Sequence, residues 1–135
     1  MFNFSKSIKI GLALSGGGAR AHVHLGMMQA LLEKGFHFDV ITGTSAGSLI
    51  GGLYANGYSP PEILEISQAT DFTRLARFAL SWSGLLKLDS ARKYLKKYLP
   101  ETFEELQKPF IAAGTNMSSN QVSYLEKGPL IDAIL

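Results

Sequence analysis

Phe38-Asp39-Val40-Ile41-Thr42-Gly43-Thr44-Ser45-Ala46-Gly47-Ser48-Leu49-Ile50 is the stretch on which the fold turns. Phe38, Val40 and Ile41 form a short apolar strand, Gly43 to Gly47 a tight turn, and Ser48 to Asn56 a helix that Gly57 stops. The same succession stands just upstream. Ile8, Ile10, Leu12 and Leu14 alternate as a strand does, Ser15-Gly16-Gly17-Gly18 interrupts them, and from about Ala21 to Lys34 the residues Val23, Met27, Leu31 and Met28, Leu32 recur at helical spacing before Gly35. Two strand-turn-helix units in succession predict an α/β domain with a parallel sheet, both turns lying at one sheet edge.

Eleven of the fourteen glycines lie at or before Gly57, so the tight turns belong to the front half and the rear is helical and charged. Ser59-Pro60-Pro61-Glu62 reads as a capping box with proline in the first turn, and Thr102 with Glu105 as another. Leu85 to Leu99 carries a further helix, capped at Asp89 or Ser90. Phe110 to Ala113 and Gln121 to Leu125 read as strands joined by a polar loop at Asn116 to Asn120. Leu130, Ile131, Ile134 and Leu135 open an apolar helix that has no polar finish, so the domain is expected to be truncated at its C-terminus, with residues 1–135 its N-terminal part.

The chain of 135 residues has the length of one domain and an ordinary globular composition, 46% hydrophobic and 18% charged. A net charge of +2 implies no nucleic-acid partner. The absence of cysteine removes disulfides, thiolate metal sites and cysteine nucleophiles, and suits the cytoplasm. Ile10 to Leu14 is too short for a signal peptide or a membrane span, so a peripheral contact, at the inner membrane face, is the form of membrane association to expect. Lys87, Arg92, Lys93, Lys96 and Lys97 share a segment with Leu85, Leu86, Leu88, Tyr94, Leu95 and Tyr98, the pattern of a helix that lies on anionic lipid or, more commonly, packs with a solvated basic face. Trp82 and Phe78 suit acyl-chain contact or core packing equally. Nothing in the sequence points to a cofactor or metal, and the oligomeric state is open.

A serine hydroxyl needs exposure, a base and donors for the developing oxyanion before it can attack a carbonyl. Gly-x-Ser-x-Gly between a strand and a helix supplies the exposure for Ser45: Gly43 and Gly47 relieve crowding, Thr44 fills the turn, and the Ala46 N–H at the helix start points toward the oxyanion. Gly16, Gly17 and Gly18 let backbone N–H groups approach an anion, with Arg20 just beyond. The same loop satisfies G-x-G-x-x-A through Ala21, the dinucleotide fingerprint. That fold needs an acid at the end of the second strand, whereas Asp39 stands at its start. Dinucleotide binding therefore stays as the lesser alternative, beside a non-catalytic remnant that binds lipid or protein. His22, His24 and His37 all precede Ser45, contrary to the nucleophile-acid-histidine order of α/β-hydrolases, and no histidine is assigned a role.

Gly16-Gly17-Gly18-Ala19-Arg20 followed about 25 residues later by Gly43-Thr44-Ser45-Ala46-Gly47 resembles the patatin-like phospholipases, most of all the bacterial branch related to neuropathy target esterase. The resemblance runs through the whole chain, weakly in the middle. It implies a three-layer α/β fold, with a mostly parallel central sheet and helices on both faces. It also implies a serine acyl hydrolase of lipid or other carboxylic esters, with Ser45 as nucleophile, an oxyanion hole at Gly16, Gly17, Gly18, Arg20 and Ala46, and a Ser–Asp dyad without histidine. Ala21 departs from the glycine common at that position. The family's aspartate belongs to an Asp-Gly-Gly or Asp-Gly-Ala motif; Asp39, Asp71, Asp89 and Asp132 all lack a following glycine, so the base is expected beyond this chain.

Overall fold

The computed structural model describes residues 9–69 and 85–135. The elements are β1 (Gly11–Leu14), a 3-10 turn (Gly18–Ala21), α1 (His22–Glu33), β2 (Val40–Thr44), α2 (Ala46–Ala55) and α3 (Pro60–Ala69). After the undescribed stretch come α4 (Leu85–Leu95), a 3-10 turn (Phe103–Glu105), β3 (Phe110–Asn116), β4 (Gln121–Leu125) and α5 (Leu130–Ile134). The expectations placed on Asp71, Phe78 and Trp82 lie outside the described residues.

The sheet has the order β1-β2-β3-β4, parallel across β1, β2 and β3 and antiparallel between β3 and β4. This is the α/β class with a mostly parallel sheet that the sequence predicts. Parallel crossovers are right-handed, and strands added in one direction place their connecting helices on one face. Burial alternates accordingly: Leu12, Leu14, Ile41, Gly43, Phe110 and Ala112 are buried, while Gly11, Ala13, Val40 and Thr44 are exposed and Thr42, Ile111 and Ala113 half-buried.

The core is one cluster whose largest fully buried side chains are Met28, Ile41, Leu53, Ile63, Leu95 and Leu130. Burying each such side chain contributes about 1.5–3 kcal/mol. At the centre of the packed face lies α2, buried along Gly47, Ser48 and Ile50 to Ala55. Its Gly51 and Gly52 allow this depth: a Cβ at Gly51 would stand 2.9 Å from the Phe110 ring, and one at Gly52 2.8 Å from Ile134 Cδ1.

Several boundaries differ from the sequence reading, each for a local reason. The buried stripe of α1 is Leu25 and Met28 with Ala21 before it, whereas Val23 and Met27 face outward. The helix after Ser45 begins at Ala46, two residues early, and Gly43 and Thr44 are still strand. Asp89 and Ser90 lie inside α4, where Asp89 pairs with Arg92 at 3.3 Å instead of capping. Thr102 and Glu105 do form a capping box, with Glu105 accepting the Thr102 N–H at 2.9 Å, but it opens a single 3-10 turn.

At α3 the expected box is present: the Glu62 carboxylate accepts the Ser59 N–H at 2.7 Å and the Ser59 hydroxyl at 2.6 Å. These two bonds, the hydroxyl's first, hold the Glu62 carboxyl below its usual value of 4.5. A depressed folded-state value means that the pair stabilises the fold at pH above the unfolded value and loses this contribution as pH falls through the folded one. Ser59→Ala is therefore expected to lower stability at neutral pH and to match the wild type in strong acid. Urea unfolding followed from about pH 7 down to about pH 2 checks it.

Candidate active site

Both glycine-bearing turns leave neighbouring strands at the same edge, for Leu14 at the end of β1 is the register partner of Gly43 on β2. Ser45 is the residue between β2 and α2. Its backbone stands at φ 52° and ψ −128°, a region that favours glycine, and its side chain is exposed. The Ser45 carbonyl is fixed by the first turn of α2, accepting from Ser48 N at 2.9 Å, Leu49 N at 3.3 Å and the buried Ser48 hydroxyl at 2.6 Å. With the carbonyl held inward on three donors, the side chain is left on the outside of the turn. Ser48 was not singled out in the sequence; a serine three residues into a helix start is the signal that marks it.

The two flanking glycines are required by contact. A Cβ on Gly43 would fall 2.4 Å from the Gly47 carbonyl oxygen, and one on Gly47 would fall 2.4 Å from Leu14 O and 2.5 Å from Ser15 O. Main chain meets main chain at both points, so the turn is wedged between β1 and its own helix. The Gly16 loop closes over it: a Cβ on Gly16 would lie 3.1 Å from Ser45 Cβ and 3.7 Å from its Oγ. Gly16→Ala is expected to press on the Ser45 side chain and slow acylation by about tenfold, read as the rate of fluorophosphonate labelling.

Gly18 has φ 55° and begins the 3-10 turn, in which Arg20 N donates to Gly17 O at 3.1 Å. This turn stands where the sequence suggested loop running directly into helix. Arg20 is exposed and joins no ion pair among the described residues. Ala46 is the first residue of α2, so its N–H has no acceptor within the helix, and the positive end of the helix dipole faces Ser45.

Two of the three histidines, His22 and His24, are committed to the main chain. His24 Nε2 donates to Ser15 O at 3.0 Å, and His22 Nδ1 donates to Ala19 O at 2.7 Å. Among the described residues no histidine or carboxylate hydrogen-bonds the Ser45 hydroxyl. Asp39 Oδ2 accepts the Ile10 N–H at 2.7 Å at the opposite end of the strands, out of reach of any ligand at the glycine loop. Asp132 and Asp89 both engage Arg92.

A profile of the patatin-like phospholipases matches residues 12–135. The chain belongs to this family. An uncharacterised NTE family protein of Mycobacterium tuberculosis is 32% identical over 133 residues, which are 96% of this chain and 37% of that protein. Lysophospholipase NTE1 of Mycosarcoma maydis is 34% identical over 136 residues, 90% of this chain and 7% of that protein. The patatin-like chain thus spans little more than a third of its mycobacterial relatives. Among solved structures, full-length ExoU of Pseudomonas aeruginosa, in complex with SpcU, has the same fold at a TM-score of 0.60, with 20% identity over 93% of this chain and 37% of that one.

On α4 of this patatin-like chain and the turn that follows it, Arg92, Lys96 and Lys97 are engaged. Arg92 pairs with Asp132 at 2.7 Å, Lys96 with Glu101 at 3.4 Å, and Lys97 Nζ sits 5.6 Å from the centre of the Tyr94 ring. No described helix is long and apolar enough to cross a membrane.

Proposed function

We propose that this chain carries the nucleophile and oxyanion half of a serine acyl hydrolase that cleaves lipid or other carboxylic esters, of phospholipase or lysophospholipase type. The reading rests above all on one observation: an exposed serine side chain, at a backbone angle that favours glycine, with a glycine loop packed so close that a Cβ on Gly16 would stand 3.1 Å from the Ser45 Cβ. Membership of the patatin-like family and a lysophospholipase among the relatives support it.

In this mechanism Ser45 Oγ attacks the ester carbonyl and its proton passes to an aspartate. The carbonyl oxygen becomes an oxyanion, held by N–H groups of Gly17, Gly18 and Ala46, each worth about 2.7–4 kcal/mol of transition-state stabilisation. The tetrahedral intermediate expels the alcohol, which takes the proton, and water attacks the acyl-enzyme by the reverse use of the same groups. Arg20 attracts the substrate's phosphate. The aspartate is supplied from outside this chain, in keeping with a Ser45 hydroxyl that no described acid or histidine reaches. Residues 1–135 then form the N-terminal part of one patatin-like domain.

A fluorophosphonate ester tests the reading. Stoichiometric labelling at Ser45 in the full-length protein, and none in the 135-residue chain, is the expected result. A full-length protein that stays unlabelled while hydrolysing no ester is the result that sinks it. Peripheral contact with anionic lipid through the basic helix is a separate part of the proposal, and vesicle co-sedimentation that is lost at high salt is its expected sign.

A further inference from the structure

His22 stands between the glycine loop and the helical layer and touches both. It ends the 3-10 turn Gly18–Ala21 and begins α1. Its Nδ1 donates to Ala19 O at 2.7 Å, a carbonyl inside the loop. Its Nε2, the acceptor nitrogen once Nδ1 donates, lies 2.9 Å from Ser67 Oγ on α3, and the single Ser67 proton is shared between Nε2 and Leu64 O, 2.7 Å away. Ser67 is 7% exposed, one of two buried polar residues among those described, so this is a built contact within the packed layer. The loop itself is three successive glycines, one at φ 55°, with open space where a Gly18 side chain would stand; the Arg20 N–H bond to Gly17 O and the His22 main-chain N–H bond to Ala19 O are local to the turn and tie it to no other element.

We propose that His22 is a positioning residue of the oxyanion loop, tying the Ala19 carbonyl through Ser67 to α3 so that the Gly17 and Gly18 N–H groups stay aimed at the substrate carbonyl. The inference rests on the proposed hydrolase function for its catalytic consequence, and on geometry alone for the clamp. A glycine loop free to move loses aim at the transition state more than it loses substrate, because oxyanion donors act where charge develops. His24 anchors only the loop's first residue, through Ser15 O, and leaves Ala19 to His22.

The test uses the full-length protein with His22→Asn, which keeps a donor near Ala19 O but cannot reach Ser67, and with Ser67→Ala, which removes the same link from the other side. Each is expected to lower kcat about tenfold with KM within about twofold, and the double variant to be no slower than either single one. Hydrogen exchange at the loop amides from Gly16 to Arg20 is expected to quicken in both. Wild-type kcat and wild-type loop exchange in Ser67→Ala, with only the melting temperature lowered, overturn the clamp. If Ser45→Ala leaves turnover intact, the hydrolase reading fails instead, and the loop exchange still decides the clamp.

Discussion

Ser45→Gly is expected to abolish ester turnover in the full-length protein and at the same time to make the protein more stable. The two halves of this result have separate causes. Removing a nucleophilic serine from an acyl hydrolase costs on the order of 10⁴–10⁶ in kcat, since the remaining donors bind but cannot form the acyl-enzyme. The stability gain comes from the backbone. At φ 52° and ψ −128° a residue with a Cβ is strained, by about 1–3 kcal/mol, and glycine is not. Glycine's looser unfolded chain takes back about 0.4–1 kcal/mol, leaving a net gain near 1 kcal/mol, or roughly 2–5 °C in Tm. Ser45→Ala is the matched control: it loses turnover equally but keeps the Cβ and gains no stability. Thermal unfolding with p-nitrophenyl ester assays on both variants checks this, and turnover surviving in either variant refutes the assignment of the nucleophile.

Gly47→Ala is expected to have a large structural effect for a single methyl addition. The new Cβ would lie 2.4 Å from Leu14 O and 2.5 Å from Ser15 O, both main-chain atoms of β1 and its exit. Neither can move without breaking the register of Leu14 with Gly43. Ordinary overpacking costs about 1–3 kcal/mol when side chains can yield. Here only backbone could yield, so about 3 kcal/mol or more is expected, a large share of the 5–15 kcal/mol that holds a typical domain. Gly114→Ala on β3 is the control, because nothing lies within 4 Å of its Cβ position. Urea unfolding of the two variants side by side measures the difference; equal midpoints would show that β1 and α2 are not wedged together at Gly47.

Much of this arrangement is written in the residues, and the parts that are not have identifiable reasons. Strand alternation and glycine punctuation are local signals, so β1, β2, β4 and the elbow residues were legible, as was the capping box at Ser59. The buried face of α1 was not legible, because Val23 and Met27 have helical spacing yet lie on the outward side. Only the direction from which the sheet approaches tells Leu25 from Val23, and that is tertiary information. The start of α2 was placed late because a turn motif and a helix N-terminus share residues: Ala46 and Gly47 serve both. At the candidate site, the glycines and Ser45 could be picked out by type and order. His22 and Ser67 could not, since they are 45 positions apart, which no spacing rule connects.

The strand order β1-β2-β3-β4 has a further consequence for how the chain comes into being. Ser45, its flanking glycines and the proposed oxyanion donors all fall between β1 and α2, residues 11–55, in one unbroken run, while Ser67 behind His22 lies outside it. On the ribosome that run emerges before the residues that follow it, and chains fold from the N-terminal side as they are made. The wedge at Gly47 needs only β1, β2 and α2, so the elbow can close while the rest of the polypeptide is still being synthesised. The nucleophile's turn is then finished before the aspartate proposed to serve it exists, and a half-made enzyme holds an inert serine.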